Sequence, residues 1–239
     1  MENYKYIVFS DFDGTITLKD VGDKLFQQFG DPVLLQEIFK KYSTGVISEV
    51  ECWNESCKLV SNLNEENFRK FVLEQIIDPG FHLLNNFCIE KNIPINIVSG
   101  GFHQYIKIIL ERENLQIPYY ANDLNFLSDG FVKPSFEFTD TICEKCANCK
   151  RNHMITKSSD DEIIVYFGNG HSDKCPVRFA DIVFAKGSLV KFCEMENITF
   201  NRFENFFDAT EKFKKIVETT KPKKKKSAEL LRKEIIMME

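Results

Sequence analysis

Two aspartates, Asp11 and Asp13, stand two residues apart directly after the apolar run at 6–9. Ligands of open α/β sheets bind outside the carboxyl ends of the strands, so acids at the end of a buried strand face a site rather than the core. A carboxylate such as Asp11 can attack phosphorus and form an aspartyl-phosphate. Asp13 can protonate the leaving oxygen and later take a proton from water. Two anions that face an anionic substrate need a hard dication, for which Mg2+ is expected.

Three later segments carry residues suited to the same chemistry. The Ser-Gly-Gly sequence at 99–101 follows the apolar run at 93–98 and places a hydroxyl and backbone amides before a helical pattern, where anions bind. Lys150 can neutralise phosphoryl oxygens, and the loop at 167–173 follows a strand-like run at 162–166. Taken singly, each pattern is also typical of a loop or a solvated charge, so their order along the chain decides the interpretation.

The string DFDGTIT at 11–17, followed in order by these three segments, resembles the motif set of the haloacid dehalogenase (HAD) superfamily of aspartate-nucleophile phosphatases. A long helical stretch after the first motif resembles the phosphoserine-phosphatase-like branch. The cysteines before Lys150 and the run at 173–186 resemble the methionine-salvage 2-hydroxy-3-keto-5-methylthiopentenyl-1-phosphate phosphatases and the phosphoethanolamine/phosphocholine phosphatases. The resemblance covers about residues 5–210 and is specific for the superfamily rather than for a substrate.

The resemblance implies a catalytic role for three residues. Asp11 is expected to be the nucleophile and Asp13 the general acid/base, and Lys150 is placed third by its position in the motif order. The residues expected to hold the phosphate are Thr15, Ser99, Gly100 and Lys150.

The implied metal site departs from the family pattern at one position. The family has Gly-Asp-x-x-x-Asp in its last motif, whereas this chain has Asn169 in place of the first acid and retains Asp173. Asp11, the main-chain carbonyl of Asp13, Asn169 and Asp173 are expected to hold or support Mg2+. An amide oxygen can ligate Mg2+ but brings no charge. We therefore expect weaker metal binding or lower turnover, or a member without activity.

The elements that must position these residues follow from the apolar runs. Helical patterns between the runs predict a doubly wound, mainly parallel α/β sheet of HAD-like, Rossmann type. The runs that predict buried parallel strands are at 5–10, 93–98, 162–167 and 181–185.

The roughly eighty residues between the first two strands show no strand pattern and are too long for one crossover helix. They predict a helical cap at 18–78, inserted into a core domain made of 1–17 and 79–218. A cap of this kind excludes water and selects the substrate. The helical patterns lie near 20–29, 32–42, 46–61, 65–76 and 80–92.

Two further segments are predicted after the second strand. The runs at 119–126 and 131–138, joined around Ser128-Asp129-Gly130, predict a β-hairpin. Residues 219–239 form a basic tail whose lysine run at 221–226 is typical of a solvated, mobile segment, although a localisation or nucleic-acid patch has the same composition. The residues after this run predict an isolated amphipathic helix.

Cys143, Cys146 and Cys149 have the Cys-x2-Cys-x2-Cys spacing of a thiolate metal clip, and the last directly precedes Lys150. A structural Zn2+ here would fix the hairpin's return and aim the lysine. Three thiols are one short of the usual four ligands, and reduced cysteines in a loop give the same spacing. Both interpretations stay open.

Asp20 follows the nucleophile loop and is a candidate for binding a substrate amine. An acid in a first helical turn also stabilises the helix through its dipole, so the sequence does not choose between the two roles.

Composition agrees with one enzyme-sized chain. At 239 residues and 43% hydrophobic content it can bury a large core, and its net charge of -5 disfavours nucleic acid or an anionic membrane as a partner. Without a membrane-span run or a signal-peptide pattern, we expect a cytoplasmic monomer or homodimer that acts on a small phosphorylated metabolite.

The leading hypothesis is therefore a Mg2+-dependent phosphomonoester hydrolase with an aspartyl-phosphate intermediate. A phosphotransferase that passes the phosphoryl group to another acceptor is one alternative. A non-catalytic phosphate-binding or regulatory protein is the other, and Asn169 favours it.

Overall fold

The structure, a computed structural model, describes residues 5–127, 130–219, 221 and 223–238. The chain forms two compact units. The first contains the chain up to Asp11, Ile77–Ile97 and the chain from Lys150 onward, and the second contains Phe12–Ile76 and Val98–Cys149. Asp11 and Asp13 therefore belong to different units, although they are neighbours in sequence.

The described residues contain seven strands in the order β4-β3-β2-β1-β5-β6-β7, which confirms the predicted α/β class with its mainly parallel sheet. In the first unit, β1 pairs in parallel with β5 and with the beginning of β2, and β6 pairs with β5 and β7. In the second unit, β3 and β4 form an antiparallel pair. The strands are β1 Lys5–Ser10, β2 Ile95–Phe102, β3 Tyr119–Phe126, β4 Val132–Ser135, β5 Glu162–Gly168, β6 Ile182–Ala185 and β7 Asn201–Arg202.

Ten α-helices lie in the described residues. They are α1 Val21–Phe29, α2 Pro32–Ser43, α3 Glu49–Lys58, α4 Glu65–Leu73, α5 Gly80–Glu90, α6 His103–Arg112, α7 Lys150–Lys157, α8 Gly187–Met195, α9 Phe206–Thr219 and α10 Lys226–Met238.

Polar N-caps explain where the first four helices begin. Each cap side chain accepts backbone N–H groups of the first turn, which have no partner within the helix. These caps are Asp20, Asp31, Ser48 and Asn64.

A cluster of aromatic rings fills the core of the first unit. Phe167 on β5 and Phe184 on β6 stack with centroids 4.5 Å apart, and Phe203, Phe206 and Phe213 pack against them. All five are at most 1% exposed. Burial of this apolar surface stabilises the strands whose carboxyl ends carry the candidate site.

The predicted strands and cap helices are present, with three differences. Strand β2 continues to Phe102, so the Ser-Gly-Gly sequence at 99–101 lies near the end of this strand rather than in a loop. The two-residue β7 was not predicted, because it is too short to give a pattern. Strand β4 ends at Ser135 instead of 138. The predicted turn residues Ser128 and Asp129 lie outside the described residues.

The compact units also differ from the predicted domain boundaries. The hairpin and the cysteine segment cluster with the helices of 18–76, so the second unit is larger than the predicted cap. The boundary of the cap itself stays a prediction.

The C-terminal helix is not isolated, which corrects the expectation for the tail. Arg232 on α10 is buried and binds the carbonyl of Phe179 and the carboxylate of Asp181. The same carboxylate accepts the N–H groups of Lys225 and Ile164. Three hydrogen bonds, two from Arg232 and one from Lys225, thus anchor the tail to the segment that contains Phe179 and Asp181. None of the described helices is long and apolar enough to cross a bilayer.

Candidate active site

Asp11 lies at the end of β1 and is 3% exposed. The Nζ atom of Lys150 lies 2.6 Å from Asp11 Oδ1, 2.8 Å from Asp173 Oδ1 and 3.0 Å from Ser172 Oγ. Burial alone would lower the pKa of Lys150, but the charges and hydrogen bonds of Asp11 and Asp173 outweigh it and raise the pKa. The structure therefore brings together three predicted residues as one buried ion cluster in the first unit.

Asp173 has its hydrogen-bonding capacity filled by protein donors. Its Oδ1 accepts from Lys150 and from the Tyr166 hydroxyl at 2.7 Å, and its Oδ2 accepts the N–H groups of Asn169 at 2.8 Å and Gly170 at 3.0 Å. An ionised carboxylate offers about four acceptor directions. Asp173 therefore orients Lys150 and the 169–170 turn.

Asn169 is fixed through its main chain. Its N–H donates to Asp173, and its carbonyl accepts the N–H of Leu189 at 3.0 Å, in the first turn of α8. A β-carbon on Gly168 would lie 2.7 Å from the Asp173 carboxyl group, so only glycine fits there. Position 169 thus carries an amide side chain, where the resemblance implied an acid.

Asp13, in the second unit, is held by neutral donors. Its Oδ2 accepts from the Tyr105 hydroxyl at 2.6 Å and from Ser99 Oγ at 3.0 Å, and its Oδ1 accepts the N–H of Val21 at 3.1 Å. Burial raises the pKa of Asp13 to about 7, and the charge of Asp20 adds to this, whereas the hydrogen bonds lower it. A carboxyl group with this pKa can exchange protons near neutrality.

Buried polar side chains hold the Ser-Gly-Gly segment at the end of β2. The Gly101 N–H donates to Ser99 Oγ at 2.9 Å, and the Ser99 hydroxyl donates to Asp13. Trp53 Nε1 and Asn122 Nδ2 bind the Gly100 carbonyl at 2.9 and 2.7 Å. Ser99 and Gly100 thus lie near the end of β2 rather than in a turn, and the Ser99 hydroxyl donates to Asp13.

Trp53 and Asn122 were not among the site residues predicted from the sequence. Trp53 is buried, and its indole N–H reaches the Gly100 carbonyl. Asn148 was likewise missed, and its Nδ2 binds the Ser99 carbonyl at 2.8 Å. The position of Asn148 between two cysteines was the one signal available.

Thr15 and Asp20 lie in the loop and helix start that follow Asp13. Thr15 is fully buried, with its N–H directed to the Phe12 carbonyl at 3.2 Å. Asp20 caps α1 by accepting the N–H of Asp23 at 2.8 Å. The helix-capping role of Asp20 is thus observed, and its role toward a substrate stays a prediction.

The cysteine segment shows no zinc site. Cys143 and Cys146 are half-buried and Cys149 is buried. Nowhere in the described part of the chain do three or more His, Cys, Asp or Glu side chains form a group that could hold a metal ion. The zinc expectation is therefore not supported.

Hydrogen bonds to Glu49 hold the cysteine segment instead. The Glu49 N–H binds the Lys145 carbonyl at 3.1 Å, and its Oε2 accepts the Ala147 N–H at 2.8 Å. The Cys149 N–H binds the Phe138 carbonyl at 2.8 Å. These contacts fix the backbone directly before Lys150.

Comparison with known proteins agrees with the geometry. The family model of haloacid dehalogenase-like hydrolases matches residues 8–175. A curated relative from Bacillus thuringiensis (strain Al Hakam), a 2-hydroxy-3-keto-5-methylthiopentenyl-1-phosphate phosphatase, is 27% identical over 213 residues, which are 88% of this chain and 97% of the relative. The protein of the same name from Bacillus mycoides (strain KBAB4) is 29% identical over 214 residues, with the same coverage.

Solved structures show the same fold. A phospho-aspartyl intermediate analogue of phosphoserine phosphatase has a TM-score of 0.67 at 18% identity and covers 87% of this chain and 98% of its own. A substrate-bound phosphoserine phosphatase complex has a TM-score of 0.66 at 18% identity, covering 89% and 99%.

Proposed function

The chain belongs to the haloacid dehalogenase-like hydrolase family and is a phosphatase, and we propose that it hydrolyses a small phosphorylated metabolite with Mg2+ through an aspartyl-phosphate on Asp11. The observation that carries this proposal is the buried Lys150 that joins Asp11 and Asp173. Two buried carboxylates and one ammonium form a costly arrangement that a stable fold does not require. Its position at the carboxyl end of β1 is where α/β sheets bind ligands.

In the proposed reaction, Asp11 attacks phosphorus while the bond from phosphorus to the leaving oxygen breaks. Asp13 gives its proton to that oxygen, then takes a proton from the water that attacks the phospho-aspartate, and Asp11 is regenerated. Chain connectivity keeps the two Cα atoms within about 7 Å, since two residues span no more than that. Lys150 offsets the charge on the phosphoryl oxygens and fixes the orientation of Asp11.

The donors present fit Mg2+. Asp11, the main-chain carbonyl of Asp13 and Asn169 offer hard oxygen atoms, and the bound cation would neutralise the phosphate. Asp173 supports this set through the 169–170 turn, because its own acceptor directions are filled. Asn169 lowers the negative charge of the set by one, so we expect weak metal binding.

The substrate class rests on the curated relatives, which are named for 2-hydroxy-3-keto-5-methylthiopentenyl-1-phosphate, a small phosphorylated compound. We propose a small metabolite of that kind rather than a nucleic acid or membrane partner. The cytoplasmic location and the monomeric or homodimeric state stay predictions.

A second candidate is a phosphate-binding protein without turnover, which Asn169 favours because a weakly bound cation slows phosphoryl transfer. The test is turnover of 4-nitrophenyl phosphate and a panel of phosphorylated metabolites with Mg2+. We expect turnover by the wild type, none by Asp11→Asn, and wild-type rates for Asp161→Asn, an exposed aspartate paired with Lys5.

A phosphoryl group recovered on the peptide that contains Asp11, after acid quench and mass spectrometry, would support the intermediate. Phosphate binding without turnover by any variant would favour the second candidate. Phosphorylated product formed only when an alcohol acceptor is added would indicate a phosphotransferase.

A further inference from the structure

Tyr105 is a buried residue of α6 that has no part in the reaction proposed above. Its hydroxyl lies 2.6 Å from Asp13 Oδ2, and its ring packs against Phe12 and Phe102, each with a centroid 6.2 Å away. The Tyr105 hydroxyl donates this hydrogen bond to the carboxylate.

The donors around Asp13 distinguish its two oxygens. Tyr105 and Ser99 both donate to Oδ2 and fill its two acceptor directions, whereas Val21 donates to Oδ1 alone. A proton on Asp13 can therefore bind without displacing a hydrogen bond only at Oδ1, whose second acceptor direction has no donor from the described residues.

The absence of a side chain at Gly101 leaves the space that the Tyr105 hydroxyl occupies. A β-carbon on residue 101 would lie 1.5 Å from the Tyr105 hydroxyl oxygen and 2.5 Å from Asp13 Oδ2. Neither group could keep its position beside any residue other than glycine. The hydroxyl thus crosses the backbone of β2 to reach the carboxylate.

We propose that Tyr105 is a positioning residue for the phosphatase reaction: with Ser99 it holds Oδ2 of Asp13, so that Oδ1 carries the proton for the leaving oxygen. The inference rests on the proposed function. As the bond from phosphorus to the leaving oxygen breaks, its electron pair stays on that oxygen, which takes the proton from Oδ1. When water attacks the phospho-aspartate, its proton returns to Oδ1 and phosphate departs.

The test compares two substrates of similar shape whose leaving groups differ in their need for a proton. Nitrophenolate leaves 4-nitrophenyl phosphate without protonation, whereas benzyl phosphate must release an alcohol. For Tyr105→Phe we expect kcat/KM to fall roughly tenfold or more with benzyl phosphate, and less than about threefold with 4-nitrophenyl phosphate. The value of kcat/KM reports the steps up to the first irreversible one, which includes loss of the leaving group.

Tyr6→Phe is the matched control. It also removes one hydroxyl from a buried tyrosine, in the first unit, and leaves the ring packed against Phe213. We expect equal kcat/KM ratios to wild type with both substrates. If Tyr105→Phe fails to fold, Ser99→Ala removes the other donor to Oδ2 and should show the same dependence on the leaving group.

Equal losses with both substrates, or no loss with either, would overturn the role of Tyr105 while leaving the phosphatase proposal intact, provided that wild type is active and Asp11→Asn is not. A wild type that turns over neither substrate nor any metabolite would overturn the proposed function, and this inference with it.

Discussion

The carboxylates of Asp11 and Asp13 are held by donors of opposite kinds, one charged and the others neutral. Asp11, in the first unit, has an ammonium group 2.6 Å from its oxygen, whereas Asp13, in the second, is held by two hydroxyls and one amide. A cation compensates the charge of a buried acid, but neutral donors do so only in part, which is why the pKa of Asp13 rises to about 7. Two identical side chains are thus placed in different electrostatic environments by the charge of their donors.

The largest effect should come from removing the ammonium group that Asp11 and Asp173 share. Lys150→Met leaves Asp11 and Asp173 buried without their shared ammonium, and we expect the free energy of unfolding to fall by about 3–5 kcal/mol, with loss of turnover. Urea denaturation measures the effect. Lys5→Met is the control, because that lysine pairs with Asp161 at the exposed surface, where solvent screens the attraction between the two charges. Equal effects of the two variants would contradict a special role for the buried pair.

Gly101→Ala tests the neutral cluster around Asp13. The added β-carbon would displace the Tyr105 hydroxyl, and such overpacking costs about 1–3 kcal/mol of stability. Gly170→Ala is the control for stability, because no atom lies within 4 Å of its added β-carbon. Thermal unfolding of both variants measures the difference, and an unchanged midpoint for Gly101→Ala would show that the contact is loose.

Asn169→Asp adds a negative charge beside the ion cluster. We expect Mg2+ to bind roughly tenfold more tightly, because a dication gains one more anionic ligand. Calorimetric titration of Mg2+ into both forms measures the change without reference to turnover. Identical affinities would exclude Asn169 from the metal site.

His153, on the same helix as Lys150, should give the smallest effect. Burial lowers its pKa to about 4, and the charge of Lys157 adds to this. Below its ordinary pKa of 6.5, the unfolded chain binds a proton that the folded chain does not, so stability falls as the pH drops from about 6.5 to 4. His153→Gln should lose roughly 1 kcal/mol less than wild type between pH 7.5 and about 5.8 in urea denaturation. The same loss in both forms would contradict the assignment.

The sequence predicted the three members of the ion cluster as site residues, because each follows from the motif order, but it did not predict that Lys150 pairs with both carboxylates. Asp11 and the loop of Asp173 come directly after apolar runs, and parallel strands bring their carboxyl ends to one edge. Lys150 needed the order as well, since nothing local distinguishes it from a solvated lysine. Three residues, Asp11, Lys150 and Asp173, could therefore be predicted, because the strand topology positions them.

The hydroxyl donors could not be predicted in the same way. Tyr166 lies in a buried run where a tyrosine looks like any other core ring, and Tyr105 lies on the apolar face of a helix. Their partners depend on tertiary packing, which a local pattern does not carry. The anchoring of α10 could not be predicted for the same reason, because Arg232 binds Asp181, which lies 51 residues away in the sequence.

The place taken by the Tyr105 hydroxyl has a consequence for how related sequences can vary. It stands where a β-carbon of residue 101 would stand, so the two positions are not independent. A homologue with Tyr at 105 has to keep Gly at 101, whereas one with a side chain at 101 must have lost the hydroxyl first. Mutational paths between the two forms therefore run in one order, and the pair should covary.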